Sequence, residues 1–230
     1  MANAKLAALG AGAALLFGSV AGAASAQAFN FDTAYKAAAC GSTVNVPSGS
    51  YGAVVINNDP AKASTCVVTF DAAPGTVTAE SFKVLATGVN VEEIDSNQTL
   101  ALSGINITAR NMTGSNFFIG GRDIQLIGGD FGGFDACAVS YEDGGRIWLG
   151  VSDVLVEDVN IHDVHKGGSC ADHPDGIQIW GAHDVVLRDL TMSNLPTLGI
   201  LMRPGAAGVD RISVHRPPLP AGLRRRWRAL

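Results

Sequence analysis

Three short stretches decide the fold: Ile119-Gly120-Gly121-Arg122-Asp123-Ile124, Leu149-Gly150-Val151-Ser152-Asp153-Val154 and Trp180-Gly181-Ala182-His183-Asp184-Val185. Each reads apolar-Gly-x-x-Asp-(Ile/Val), and its Asp recurs at Asp123, Asp153 and Asp184 with almost even spacing. After each copy comes an alternating run, over 124–127, 154–161 and 185–192, which is the period-two pattern of a strand with one buried face. Looser copies occupy Leu100–Ile107 and Val209–Val214. A unit of this length with no helical periodicity cannot bury an apolar face by itself, whereas stacked units can. The period predicts an all-β chain folded as a right-handed parallel β-helix, a solenoid covering residues 29–214. In such a fold the repeated Gly allows the chain to turn where a Cβ would clash, and Asp123, Asp153 and Asp184 are expected to be structural turn residues.

Composition agrees. The 230 residues are 47% apolar and 16% charged, with 28 Gly. That is too apolar for a disordered chain, and its wealth of Gly, Val, Thr and Asn favours strands and tight turns over helices. Sixteen Lys and Arg against 21 Asp and Glu give a net charge of −5, so no basic field is present to hold nucleic acid.

Residues 1–28 hold one early cation, Lys5, an apolar run from Leu6 to Ala24 and a closing Ala26-Gln27-Ala28, a small-x-small processing pattern. They are read as a secretory signal, which places the mature chain outside the cytoplasm, secreted or periplasmic. No later apolar run is long enough to span a bilayer. The four cysteines, Cys40, Cys66, Cys137 and Cys170, are an even set suited to an oxidising compartment. Cys40 with Cys66 and Cys137 with Cys170 is the simplest of three connectivities, and without a C-x-x-C spacing a zinc site of four thiolates is disfavoured.

Near the mature N-terminus, residues 31–39 read as a short amphipathic helix, placed to cap the first rung, followed by Gly41–Val46 and Pro47–Gly52. This segment, with His173-Pro174-Asp175-Gly176-Ile177-Gln178-Ile179-Trp180, resembles the pectin-lyase-like superfamily of right-handed β-helix proteins, which includes pectate lyases, polygalacturonases, alginate lyases and alginate epimerases. Asp175 is similar in place to the Asp of the polygalacturonase motif Asn-Thr-Asp-Gly, and the resemblance implies an acid/base or polarising carboxylate. The second hydrolase motif, Gly-Asp-Asp on the following rung, would fall near Pro196-Thr197-Leu198-Gly199, where there is no carboxylate. Inverting hydrolysis needs an acid and a base, so the hydrolase reading is weakened.

The densest polar stretch, His162 to Asp175, is an insertion between two strands, where a solenoid places function. Elimination needs a group to neutralise a uronate carboxylate, a base, and a proton donor for the leaving oxygen. Lys166, His165 and His173 are candidate bases beside Asp175. Arg203 and Arg188 are candidate carboxylate clamps, Arg203 favoured because Ile200-Leu201-Met202 precedes it on a strand. Glu142 and Asp143, aligned one repeat before His173 and Pro174, are expected to approach Asp172 and Asp175 and form a Ca²⁺ site. His162 and His165 have a zinc-like His-x-x-His spacing but no third ligand. Trp148 and Trp180 differ by one position relative to the following Gly, so one is expected outward, Trp180 stacking on a sugar, and the other in the core.

After His215 the alternation stops, and Arg216–Leu230 is basic, Pro-rich and without acid. Residues 215–230 are therefore read as an irregular basic tail of a truncated or frame-shifted product, against a short β-helix whose tail binds an acidic partner. The sequence as a whole points to a secreted β-helix acting on an acidic polysaccharide by β-elimination or epimerisation. Its alternatives are a non-catalytic carbohydrate-binding or surface β-helix and a hydrolase with a degenerate carboxylate set.

Overall fold

The computed structural model describes residues 29–138, 142–167, 174–205 and 210–215. The segment read as a signal, Cys170, Asp172, His173 and the basic tail beyond His215 lie outside the described residues. Among those described, one α-helix, α1 (Phe31–Ala37), starts at Asn30, whose side chain accepts from the Thr33 amide, and Ala136–Ala138 forms a single 3-10 turn. Asn at this position satisfies one of the free amides of the first turn. Phe31 and Tyr35 turn inward to join the core.

Strands follow in the order β1 (Thr43–Asn45), β2 (Gly49–Ile56), β3 (Val68–Asp71), β4 (Val77–Val84), β5 (Thr87–Glu92), β6 (Ile94–Leu102) and β7 (Ile105–Ile119). Then come β8 (Arg122–Asp135), β9 (Gly145–Ile147), β10 (Ser152–His165), β11 (Ile177–Trp180), β12 (His183–Arg188), β13 (Thr191–Ser193), β14 (Ile200–Arg203) and β15 (Asp210–His215). The pairings are parallel, and all fifteen strands belong to one sheet. One ladder runs β1-β3-β5-β7-β8-β10-β12-β15. A second runs β2-β4-β6, passes through the last residues of β7, and continues β9-β11-β14. The chain is therefore mostly β, with successive coils stacked in register.

The repeat read from sequence is the register of the first ladder: Ile124 pairs with Val154 and Val154 with Val185. The looser copy at Leu100–Ile107 needs correction. It is divided between β6 and β7, and Ile107 pairs directly with Ile124, closing a much shorter coil than those that follow. The short coil has no insertion to carry, and the later coils are longer because the chain also passes through 136–144 and 166–176.

Stacking places like side chains on like. Val68, Val89, Ile107, Ile124, Val154 and Val185 form one buried column, and Phe70, Val91, Ala109, Leu126, Val156 and Leu187 another. Each side chain removed from water in this way contributes on the order of 1.5–3 kcal/mol before the entropy of ordering is subtracted.

The corners also stack. Asn106, Asp123, Asp153 and Asp184 occupy one column at φ between 54° and 58°. Asn111, Gly128, Asp158 and Asp189 form a second, and Gly133, Asp163 and Asn194 a third, all at positive φ. Asn and Asp tolerate the left-handed region better than other side chains. Asp123, Asp153 and Asp184 are thus structural through their backbone conformation. Long strands such as β7, β8 and β10 turn from one wall to the next at these residues.

Cys40 and Cys66 are joined by a disulfide, and Cys137 is also disulfide-bonded. Among the described residues no helix is long and apolar enough to cross a membrane.

Candidate functional site

The site is built on the wall formed by the end of β7 with β9, β11 and β14. On this wall Phe117, Gly145 and Ile177 face the core in one column, and Ile119, Ile147 and Ile179 in the next. The residues between them point away from the core, Arg146 partly exposed and Gln178 buried. Phe118 lies beside Arg146, Arg146 beside Gln178, and Gln178 beside Leu201.

One position further along, Trp148 and Trp180 fall side by side, and Trp180 pairs with Arg203. The expectation that one Trp faces out and the other fills the core holds only in part, since Trp148 packs against the core without filling it. Both are partly exposed, their ring centroids 4.9 Å apart and nearly perpendicular. Leu149, Gly150 and Val151 separate Trp148 from Ser152, but only Gly181 and Ala182 separate Trp180 from His183, while Ser152 and His183 are paired. The turn absorbs the difference and leaves the indoles in register.

The same slip corrects the placement of the carboxylates. Gly145 pairs with Ile177, so Asp143 stacks on Asp175 and not on Pro174. The Gly144 and Gly145 amides donate to the Asp175 and Gly176 carbonyls at 3.0 and 2.8 Å. Glycine is needed here because the coils approach closely. A Cβ on Gly145 would lie 2.2 Å from the Phe117 ring, and one on Gly176 2.4 Å from the Gly199 carbonyl oxygen.

Asp143 and Asp175 are 2% and 1% exposed. Asp143 Oδ2 accepts from Arg146 Nε at 3.1 Å and Nη2 at 2.8 Å, while its Oδ1 accepts the Asp175 amide at 2.9 Å. Burial nevertheless raises the Asp143 carboxyl above the ordinary carboxylate range, outweighing the hydrogen bonds and Arg146. Arg146 in turn lies over the Trp148 ring, 5.6 Å from its centroid.

Asp175 Oδ1 accepts from the Thr197 hydroxyl at 2.7 Å and the Leu198 amide at 3.1 Å. The Thr197 hydroxyl also contacts the Pro174 carbonyl. Asp175 Oδ2 is buried and has no hydrogen-bond partner among the described residues. Asp175, Thr197, Leu198, Leu201 and Arg203 together line a shallow depression of about 260 Å³.

Of the expected site residues, Asp175 and Arg203 line this depression and Trp180 lies beside Arg203 in register, while Thr197 and Leu201 join the lining and Arg146 and Gln178 lie on the same wall. Arg188 lies on the other ladder, held by Glu157 at 2.6 Å, which raises its already high pKa further. His165 and Lys166 are exposed at the end of β10 and after it. Glu142 immediately precedes Asp143, but Asp143 is already engaged with Arg146. No three His, Cys, Asp or Glu among the described residues are grouped to hold a metal, so neither the Ca²⁺ set nor the His162/His165 pair forms a centre within them. His162 instead lies between Asp163, at 2.8 Å, and Asp130, at 3.3 Å; the Asp163 hydrogen bond is the main cause of its raised pKa.

Asp135, Thr197 and Arg146 escaped the sequence reading. Asp135 accepts the Cys137 and Gly167 amides at 2.9 and 3.0 Å, pinning two loop ends together, and these bonds lower its pKa. Thr197 has no local sequence signal. Arg146 did have one: Asp143-Gly144-Gly145-Arg146-Ile147-Trp148 and Asp175-Gly176-Ile177-Gln178-Ile179-Trp180 are copies of Asp-Gly-x-x-Ile-Trp on successive coils. The chain matches no family model, no curated protein and no solved structure.

Proposed function

We propose that this chain is a secreted or periplasmic right-handed parallel β-helix, capped by α1, that acts on an acidic polysaccharide by β-elimination or epimerisation. The observation that carries the reading is the wall of β9, β11 and β14. There Trp148, Trp180 and Arg203 follow one another in register on successive coils, with Asp175 buried at the start of the strand that ends in Trp180. Aromatic rings offer a face to a sugar ring, and a planar guanidinium suits a carboxylate. Both eliminating and epimerising enzymes withdraw the proton beside a uronate carboxylate, so the cation that neutralises that carboxylate is a shared need. Arg203 is assigned this role, and His165, Lys166, His173 and Asp175 remain the candidate proton-transfer groups. The apolar leader from Leu6 to Ala24 and the Cys40–Cys66 disulfide support export. Ca²⁺ remains a proposed cofactor through Asp172 and Glu142.

A second reading, binding without turnover, is favoured by the near-complete burial of Asp143 and Asp175. Incubating the mature protein with pectate, alginate and glycosaminoglycans, with and without Ca²⁺, separates the two. Ultraviolet absorbance rising with reducing ends identifies a lyase, and reducing ends alone a hydrolase. With neither signal, exchange of the C5 proton for solvent deuterium identifies an epimerase; retention on immobilised glycan without exchange identifies a binding protein.

A further inference from the structure

The two ends of the stack of coils differ. At the first coil α1 lays Phe31 and Tyr35, four positions apart, over the core, where they are 3% and 0% exposed. At the other end β13, β14 and β15 are each paired on one side only among the described residues, and the core columns run out into the open. Val214 continues the column of Leu187 and is 44% exposed where Leu187 is 0%, and Met202 continues that of Ile179 and is 43% exposed where Ile179 is 0%. Leu198, just before β14, is 44% exposed. Three of the five large apolar side chains left exposed among the described residues thus lie on this one edge. Stacked coils need a cap wherever an apolar face would otherwise meet water.

Fifteen residues, Arg216 to Leu230, follow His215 in this sequence. They do not read as another strand. Continuing the register of β12 with β15 would set Pro218 and Pro220 against Thr191 and Ser193 of β13, and proline brings no amide to a ladder. Beyond them Leu223, Trp227 and Leu230 recur at i, i+4 and i+7, the spacing of one helical face, with four Arg between them. Phe31 and Tyr35 reach the core at the first coil with the same four-residue step. The charges match as well. Residues 216–230 hold five Arg and no acid, whereas all 21 Asp and Glu precede them, and Asp189, whose amide donates to the His215 carbonyl at 3.3 Å, stands where the segment begins. Fifteen residues reach ~50 Å when extended, more than twice the ~20 Å length of the six-residue β15. We propose that residues 216–230 cover this open edge, with Leu223, Trp227 and Leu230 set against Leu198, Met202 and Val214 and the arginines turned to the acidic flank. The segment then keeps β14 and β15 from pairing edge to edge with another copy. Because Leu198 also lines the depression that holds Arg203, it borders that depression too. None of this depends on the acidic-polysaccharide reading.

The test is limited trypsin digestion of the intact mature protein, with cleavage after Arg224, Arg225 and Arg226 followed by mass spectrometry beside a synthetic peptide of residues 216–230. A seated segment is cut only as it opens, so the intact chain should be cleaved there at least about tenfold more slowly than the peptide. Trp227→Asp should abolish that protection. Ending the chain at His215 should lower Tm by about 4 °C or more and bring on binding of an apolar-surface dye or association of copies. Cleavage of the intact chain at the peptide's rate overturns the proposal. Protection that grows with protein concentration, alongside a doubled mass in light scattering, also overturns it and assigns the edge to a second copy. Because the digestion reads the unaltered chain, it decides the matter even where the shortened chain does not fold.

Discussion

Replacing Asp143 by Ala tests how the wall is held together. The carboxylate is 2% exposed and its partner Arg146 17%, with contacts of 3.1 and 2.8 Å to one oxygen and the Asp175 amide at 2.9 Å on the other. Desolvation offsets most of what such a pair contributes, as the raised Asp143 pKa indicates. Removing Asp143 leaves the buried Asp175 amide without its acceptor and takes two contacts from Arg146. The expected loss is about 1–3 kcal/mol, against about 0.2–1 kcal/mol for an exposed pair. For a chain of this size that corresponds to a fall in Tm of roughly 2–12 °C. Urea and thermal unfolding of Asp143→Ala, Arg146→Met and the double variant would measure it. The double variant, which loses the shared contact only once, should be less destabilised than the two single losses added together. A loss below about 1 kcal/mol for Asp143→Ala, or strict additivity, would refute the reasoning.

Three other outcomes follow from the geometry. His162 has its pKa raised above 6.5, mainly by Asp163 and then by Asp130, so its contribution to stability is complete below that value and is lost as pH rises through the folded-state pKa. Urea midpoints of the wild-type protein should therefore decline across that window relative to His162→Gln, and parallel curves would contradict this. Gly145→Ala forces a Cβ to 2.2 Å from the Phe117 ring, itself packed 5.2 Å from the Phe131 ring, and should cost about 1–3 kcal/mol; Phe117→Leu in the same chain should recover part of that loss. Opening the Cys40–Cys66 disulfide, whose sequence separation is 26, should cost about 3–4 kcal/mol by chain entropy, read as a lower urea midpoint for Cys66→Ser; an unchanged midpoint would show that α1 and β1 hold that end unaided.

The repeat made the first ladder legible because Asp123, Asp153 and Asp184 recur at the same corner, so aligning them yields the pairing of β8, β10 and β12. The second ladder was harder to read. Its step from Gly145 to Ile177 is longer by one position than the step from Val154 to Val185, and the extra residue is taken up in a turn. That slip hid the alignment of Trp148 with Trp180 and of Asp143 with Asp175. Asp175 and Arg203 were recoverable as polar residues beside short apolar strands. Thr197 was not, since its importance arises only when the next coil brings its hydroxyl under Asp175. Asp135 was hidden for the same reason: its partner Gly167 lies a full coil away, and no periodic signal marks an amide that pins a loop.

The three columns of left-handed corners have a consequence for how such a chain can change length. Losing one residue between corners would move a Val or Ile into a conformation that only Gly, Asn and Asp take readily, and would turn the following inward residues outward. Losing or gaining a whole coil would leave every corner and every face where it was. The coil is thus the quantum of insertion and deletion, and a wall laid across several coils can be lengthened one coil at a time without disturbing those already in place.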